Sequence, residues 1–300
     1  MFYTPKAIYI ETTNKCNAAC IMCPHKKMRR DKIVMSDEKF RIAVTKCAEI
    51  RPVGTQIFFH KEGEPLLDEK IASRIAFAKK FLGNENEFGL NTNAMLLTEK
   101  ISENLIVAGL DTIYFSVDGT DKISYETIRL RLNYETVVEN IRRFFFVRKK
   151  LNANIRVIMQ MLVQNDSENA AEKFKNIWRD FPCEFYIKRM HSYLDGGHSS
   201  LTQKISERQI KICPDPSKIL VIYSNGNVGL CCWDYDNEYS LGNIRDDDLL
   251  NIYNNEKANR LREYVSNYRG HELNPCNRCA RIFGEDEITA PTEDCNVRKN

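Results

Sequence analysis

The sequence is short of the features that mark membrane, secreted and fibrous proteins. It has two tryptophans, nine prolines and thirteen glycines in 300 residues, with no internal repeat and no low-complexity run, which excludes collagen-like and linker-like chains. No stretch approaches the roughly 18 apolar residues of a membrane span. The opening residues MFYTPKAIYIE carry one lysine and no small-residue cleavage site, so they read as an arm into a strand and not as a secretory signal. Neither sign of charge dominates. The 44 Lys and Arg against 41 Asp and Glu leave +3, too mild to call for a nucleic-acid partner. With 43% hydrophobic residues, the chain can bury a real core. The expectation is a cytoplasmic protein of about two domains, with no nucleic-acid and no membrane partner.

What the sequence does hold is cysteine, eleven in all. In a reducing compartment, clustered cysteines read as metal ligands or catalytic thiols before disulfides.

From residue 7 to about 190, strand-like and helix-like segments alternate. Strands are expected at 7–12, 55–60, 87–92, 112–118, 155–162 and 183–190, where Ile, Val, Phe, Tyr and Thr accumulate. Helices are expected at 36–50, with Ser36 as N-cap and Phe40, Val44 and Cys47 on one face, at 134–148 and at 167–180. Six strand–helix units predict a parallel sheet with right-handed crossovers, a partial (β/α)6 barrel or an open sheet. In both, the site lies in the loops after the strand C-termini.

The pattern changes after residue 190. Asp195–Gly196–Gly197 reads as a linker, dividing the chain into 1–195 and 196–300. Residues 219–232 read as a β-hairpin turning tightly at Asn225–Gly226, and 246–266 as a helix. This tail is poor in core elements and holds six cysteines, which suggests a small metal-stapled unit.

Cys16, Cys20 and Cys23 form Cys-x-x-x-Cys-x-x-Cys directly after the first strand. Three thiolates on one loop suit an iron–sulfur cluster with one iron left open. Zinc, with His25 as a fourth ligand, is the alternative from spacing alone. The address, a loop after strand one of a β/α array, is that of an active site. Here the sequence resembles the radical S-adenosylmethionine (radical SAM) enzymes over most of its length. The resemblance implies a 4Fe–4S cluster on the three cysteines. S-adenosylmethionine chelates the open iron and is cleaved to a 5′-deoxyadenosyl radical. Gly63-Glu64-Pro65 resembles the family's GEP motif that meets the methionyl amine. Asn93, Ser116 and Asp118 fall at strand ends where the family places cofactor contacts, and Arg129 falls near its carboxylate-binding arginine. Read singly, these residues are a turn, two strand-end caps and surface charges. Met22, before Cys23, stands where the family is usually aromatic, and Glu62 where a glycine often precedes GEP.

In the tail, Cys213 is followed by twelve residues, Gly226, four residues and Cys231; after 44 more comes Cys276-Asn277-Arg278-Cys279. Spacing alone allows a four-cysteine zinc site. Beside the first cluster, the set resembles the Twitch form of the SPASM extension, a β-hairpin plus helix holding a second 4Fe–4S cluster on Cys213, Cys231, Cys276 and Cys279. Cys295 stands too far along to complete a full SPASM pattern. Cys47 and Cys183 read as core thiols. Cys232, next to a ligand, reads as a structural or redox-active thiol, and Lys188 and Arg189, ending strand six, as a substrate-facing base or anchor.

The Twitch layout resembles the aminocyclitol dehydrogenases, which oxidise a secondary alcohol with the second cluster as electron acceptor. Related sugar and aminoglycoside epimerases return a hydrogen atom from a thiol instead. Peptide-modifying relatives often carry an N-terminal recognition domain, for which a barrel starting at residue 7 leaves no room. A small sugar or aminocyclitol is therefore favoured over a peptide as substrate, with flavodoxin or ferredoxin as external electron donor. The alternative of another class is a zinc-stapled binding protein without redox activity.

Overall fold

The structure, a computed structural model, describes residues 2–163, 168–189, 194 and 210–283. The expected linker at 195–197, together with His191, His198 and Cys295, lies outside the described residues.

Six parallel strands follow one another as expected: β1 (Ala7–Ile10), β2 (Gln56–Phe58), β3 (Glu87–Thr92), β4 (Thr112–Ser116), β5 (Arg156–Val163) and β6 (Glu184–Arg189). Cys183 stands just ahead of β6, its thiol toward the Trp178 carbonyl at 3.7 Å. The helices between them are α1 (Asp37–Glu49), α2 (Ile71–Leu82), α3 (Glu99–Val107), α4 (Lys122–Ile128), α5 (Tyr134–Lys150) and α6 (Glu168–Trp178). Ser36 caps α1, its hydroxyl accepting from Lys39 N–H at 3.2 Å. Lys70, which precedes α2, makes no side-chain cap, so that helix lacks the usual start signal.

The sheet does not stop at β1. β7 (Ile219–Ile222) pairs parallel with β1, and β8 (Asn227–Gly229) and β9 (Gly242–Asn243) add antiparallel, giving the order β6-β5-β4-β3-β2-β1-β7-β8-β9. The tail hairpin is thus built onto the edge of the barrel sheet. Its turn differs from the tight two-residue form expected. Ser224, Asn225 and Gly226 make a three-residue loop, with Gly226 N–H bonded to Tyr223 O and Tyr223 N–H to Asn227 O. Gly226 has φ +95°, and Asn225 is not in the left-handed region. The Asn225 side chain instead accepts from Asn227 N–H at 3.0 Å, a local bond that replaces the second positive φ. The single helix expected at 246–266 is two, α8 (Leu249–Tyr253) and α9 (Glu256–Ser266), which follow the four-residue α7 (Asp215–Lys218). The break comes at Asn255, whose side chain accepts from Ala258 N–H and starts α9 anew.

Alternate strand residues separate two environments. Phe59, Phe88, Phe115 and Phe185 face the helices, with Phe115 against Phe144 and Phe185 against Phe174. Tyr9, Phe58, His60 and Tyr114 gather on the other face, their ring centroids 5.0–6.0 Å apart in sequence around the group. Tyr9 also feels the Tyr186 phenol of β6. In a flat sheet β1 and β6 would stand roughly 24 Å apart, so the sheet is curled and this inner face is the concave side of a partial barrel. Among the described residues no helix is long and apolar enough to cross a membrane.

Candidate functional site: two thiol groups at the barrel mouth

The first cysteine loop leaves β1 and is pinned at its base. Asn14, fully buried, donates to Asp31 O at 2.8 Å and accepts from Ile33 N–H at 2.7 Å. Ala19 and Ile21 N–H bond to the carbonyls of Leu130 and Ile128. His25 Nε2–H donates to Asn14 O at 2.8 Å. The ring is a brace for the loop.

Gly63-Glu64-Pro65 clamps the same loop from β2. A Cβ on Gly63 would stand 2.6 Å from both Lys15 O and Thr13 O, so only glycine lets the two backbones approach this closely. Glu64 N–H then donates to Lys15 O at 2.8 Å. The Glu64 carboxylate accepts from Thr92 Oγ1 at 2.6 Å, Asn93 N–H at 2.8 Å and Leu66 N–H at 3.1 Å. Burial pushes its pKa up against these bonds. Asn93 Nδ2 donates to Asn17 Oδ1 at 2.8 Å, joining the end of β3 to the cysteine loop. Ser116 Oγ donates to Asn91 Oδ1 at 2.8 Å. Asp118 binds Arg129, the residue that ends α4.

Cys16, Cys20 and Cys23 lie close enough to influence one another's charge, and Arg129 faces Cys20. Burial pushes the Cys16 thiol up to about 11 and that of Cys23 to about 12, while the Arg129 guanidinium favours the thiolate at Cys20 against its burial.

The tail thiols converge likewise. Cys231, Cys276 and Cys279 line one small apolar cavity with Leu230, Tyr239 and Leu261, and Cys213 is coupled by charge to Cys231, Cys276 and Cys279. Burial raises all four, Cys213, Cys276 and Cys279 to about 12. These cysteines form no disulfides. Among the described residues no three His, Cys, Asp or Glu groups are gathered tightly enough for a single metal ion. Four buried thiols gathered around one cavity fit a cluster whose irons each take one sulfur.

Cys232 turns away from this cavity. Its Sγ–H donates to Asp215 Oδ2 at 3.3 Å, and Asp215 is also ion-paired to Arg281. The thiol is coupled to Lys61 and to Tyr9 on the inner barrel face. Lys61 is buried and paired with Glu62, which in turn faces Cys23. The pair Lys61–Glu62 therefore stands between the first thiol group and the spare tail thiol. Sequence reading passed over Lys61, Asp215, Arg281 and Tyr9. The only signals were the place of Lys61 at the end of strand two and of Asp215 two residues past a cysteine. Lys188 lies on the inner face with its ammonium 4.3 Å from the Tyr186 ring centroid. Arg189 ends β6 opposite Val163, and its side chain is outside the described residues.

The chain is 24% identical to the tungsten-containing aldehyde ferredoxin oxidoreductase cofactor-modifying protein of Pyrococcus furiosus, over 97% of this chain and 91% of that one. It is 19% identical to the S-adenosyl-L-methionine-dependent 2-deoxy-scyllo-inosamine dehydrogenase of Niallia circulans, over 93% and 94%. Its fold matches the crystal structure of Streptococcus suis SuiB bound to precursor peptide SuiA with a TM-score of 0.69 at 13% identity, covering 87% of this chain and 67% of that one. Residues 213–280 match the SPASM iron–sulfur cluster-binding domain, and residues 10–173 match the Radical SAM superfamily. With the thiol loop at the mouth of a partial barrel and a match over more than half its length, the chain is an enzyme of the radical SAM superfamily with a SPASM domain, and its cofactors are 4Fe–4S clusters and S-adenosylmethionine.

Proposed function

We propose that this enzyme oxidises a secondary alcohol of a small polar substrate, a sugar or an aminocyclitol, held on the inner face of the barrel. The single observation that carries the reading is the convergence of Cys213, Cys231, Cys276 and Cys279 beside the barrel mouth. Four protein thiolates would fill every protein-ligand position of one cluster and leave it suited to accept an electron. The whole-length likeness to the 2-deoxy-scyllo-inosamine dehydrogenase supports the same reading. Residues 1–195 then form the catalytic part and 196–300 the auxiliary part.

Cys16, Cys20 and Cys23 would hold the first cluster and Cys213, Cys231, Cys276 and Cys279 the second. When bound, the first cluster and S-adenosylmethionine supply one-electron chemistry that removes a hydrogen atom from a substrate carbon. The chain's own residues orient the reactants and exclude water. Glu64 and Asn93 fix the cysteine loop against β3, and Arg129, neutralised by Asp118, offers a buried cation beside Cys20. The ring of Tyr9, Phe58, His60 and Tyr114 supplies an apolar floor. Lys61 and Lys188 are cations near that face able to hold a hydroxyl.

Epimerisation is the second reading, because Cys232, while its thiol hydrogen is donated to Asp215 of the tail, also lies near Lys61 and Tyr9 of the inner barrel face. In this reading the thiol would return a hydrogen atom to the substrate radical. The test is anaerobic turnover of loaded enzyme with 2-deoxy-scyllo-inosamine and a panel of sugars, followed by mass spectrometry. A product two hydrogens lighter, formed with 5′-deoxyadenosine, supports oxidation. A product of unchanged mass in ordinary water, and one deuterium heavier in deuterated water, supports epimerisation. Modification of a peptide with no turnover of any small alcohol would overturn the substrate class.

A further inference from the structure

Tyr125 of α4 is fully buried, and its hydroxyl has no hydrogen-bond partner among the described residues. A buried hydroxyl left unpaired costs stability and calls for an explanation. Its neighbour Tyr134, with ring centroids 5.5 Å apart, donates to Thr120 O at 3.1 Å. Tyr253 also lacks a partner, but the charged groups it feels are Arg262 and Tyr3. The Tyr125 hydroxyl stands instead among Arg129, Asp118, Cys20 and Glu64, all of whose charges it feels.

The backbone explains that placement. Tyr125 and Arg129 are four residues apart, on one side of the helix, and Tyr125 O accepts from Arg129 N–H at 2.8 Å. The cysteine loop runs along the end of α4, with Ala19 N–H on Leu130 O and Ile21 N–H on Ile128 O, and Cys20 lies between these two bonds. Three of the four neighbours are already occupied or unsuited. Arg129 has donors alone. Both Asp118 oxygens are taken, one by Arg129 and the other by Leu162 N–H. Glu64 already accepts three bonds, from Thr92, Asn93 and Leu66. The Cys20 sulfur is the acceptor that remains.

We propose that the Tyr125 hydroxyl donates to the sulfur of Cys20 in the loaded enzyme and thereby sets the reduction potential of the first thiol-held centre. The inference rests on the reading of Cys16, Cys20 and Cys23 as that centre's ligands. A thiol sulfur accepts weakly and a thiolate strongly, so the bond belongs to the loaded state. Burial raises the Tyr125 pKa, and the group keeps the proton it donates. Reduction adds negative charge that the sulfurs share, so a donor aimed at one of them favours the reduced form. Tyr125 is in this sense a positioning residue that acts through Cys20.

The experiment is a redox titration of the anaerobically loaded enzyme, without S-adenosylmethionine, read by electron paramagnetic resonance for the wild type, Y125F and Y134F. C16A/C20A/C23A identifies which signal belongs to the first cluster. Y125F should keep its iron and sulfide and shift the reduction equilibrium of the first cluster about tenfold toward the oxidised form, about 59 mV for one electron, with the tail cluster unmoved. Y134F, which removes a hydroxyl already bonded to Thr120 O, should move neither. A first potential unmoved in Y125F would overturn the proposal, and weaker binding of S-adenosylmethionine in the same variant would then assign the hydroxyl to that molecule. Equal shifts in Y125F and Y134F would also overturn it, since packing and not a donor would then set the potential. If C16A/C20A/C23A keeps both signals, the assignment of the three cysteines is what has failed, and the proposal falls with it.

Discussion

Arg129 donates to a single oxygen of Asp118 through both Nε and Nη2, at 2.8 and 2.7 Å, while the other Asp118 oxygen accepts from Leu162 N–H at 2.8 Å. The pair is buried and spans the ends of α4, β4 and β5, with the guanidinium facing Cys20. D118N should leave that cation buried without its counter-charge and lower unfolding free energy by about 3–5 kcal/mol. Urea denaturation measures it. D118N/R129Q should lose less than D118N alone, since it removes the stranded charge. Equal losses would mean that the pair does not act as a unit.

Gly63 is the second mechanical test. G63A drives a methyl group into Lys15 O and Thr13 O, so the cysteine loop has to move. The expected outcome is loss of the iron at the first site with the tail iron kept, about half the total. Iron and sulfide assays read it directly, and full iron with full cofactor cleavage would show that the loop tolerates the shift.

The thiol assignments predict a matching pattern. Replacing Cys16, Cys20 and Cys23 together by Ala should leave roughly half of about eight irons and no cleavage of S-adenosylmethionine. Replacing Cys213, Cys231, Cys276 or Cys279 singly should destabilise the tail, because binding and folding are coupled in such a unit, and should stop turnover before it stops cleavage. Unchanged iron and turnover in all four single variants would remove the second site.

Cys232 separates the two reactions. C232A in deuterated water should give the same oxidised product with no solvent deuterium at carbon if the enzyme is a dehydrogenase. Loss of an epimerised product, with 5′-deoxyadenosine still formed, would make the thiol the hydrogen donor.

His60 carries a pH signature. Its Nδ1 accepts from Asn91 N–H at 3.1 Å, which holds the ring neutral with its proton on Nε2. Burial, and then the Lys61 charge, lower its pKa to about 3, against about 6.5 in the unfolded chain. Between those values the unfolded state binds the extra proton. The contribution is complete above pH 6.5 and is lost as pH falls toward 3, at up to about 1.4 kcal/mol per pH unit. H60Q should flatten the acid limb of stability against pH by one proton. An unchanged slope across pH 4–6.5 would place the charge elsewhere.

The sequence by itself determined where the strand–helix units lie along the chain, the core face of α1 and the spacing of the two cysteine groups, because these are local properties: a period of two or of three to four residues, a cap, a spacing. Val44 and Cys47 of α1 are buried as their spacing implied. Only the tertiary structure decided what the long-range contacts are. Nothing in the residues around Ile219 says that the strand will pair with Ala7. Nothing beside Lys61 says that it will face Cys232, 171 positions away. The brace from His25 to Asn14, the seating of Gly63 on Lys15 and the separation of Cys232 from its neighbour Cys231 arise when the sheet curls and the hairpin closes its edge. Residues distant in the chain then share one site, and contact between them depends on packing and not on sequence distance.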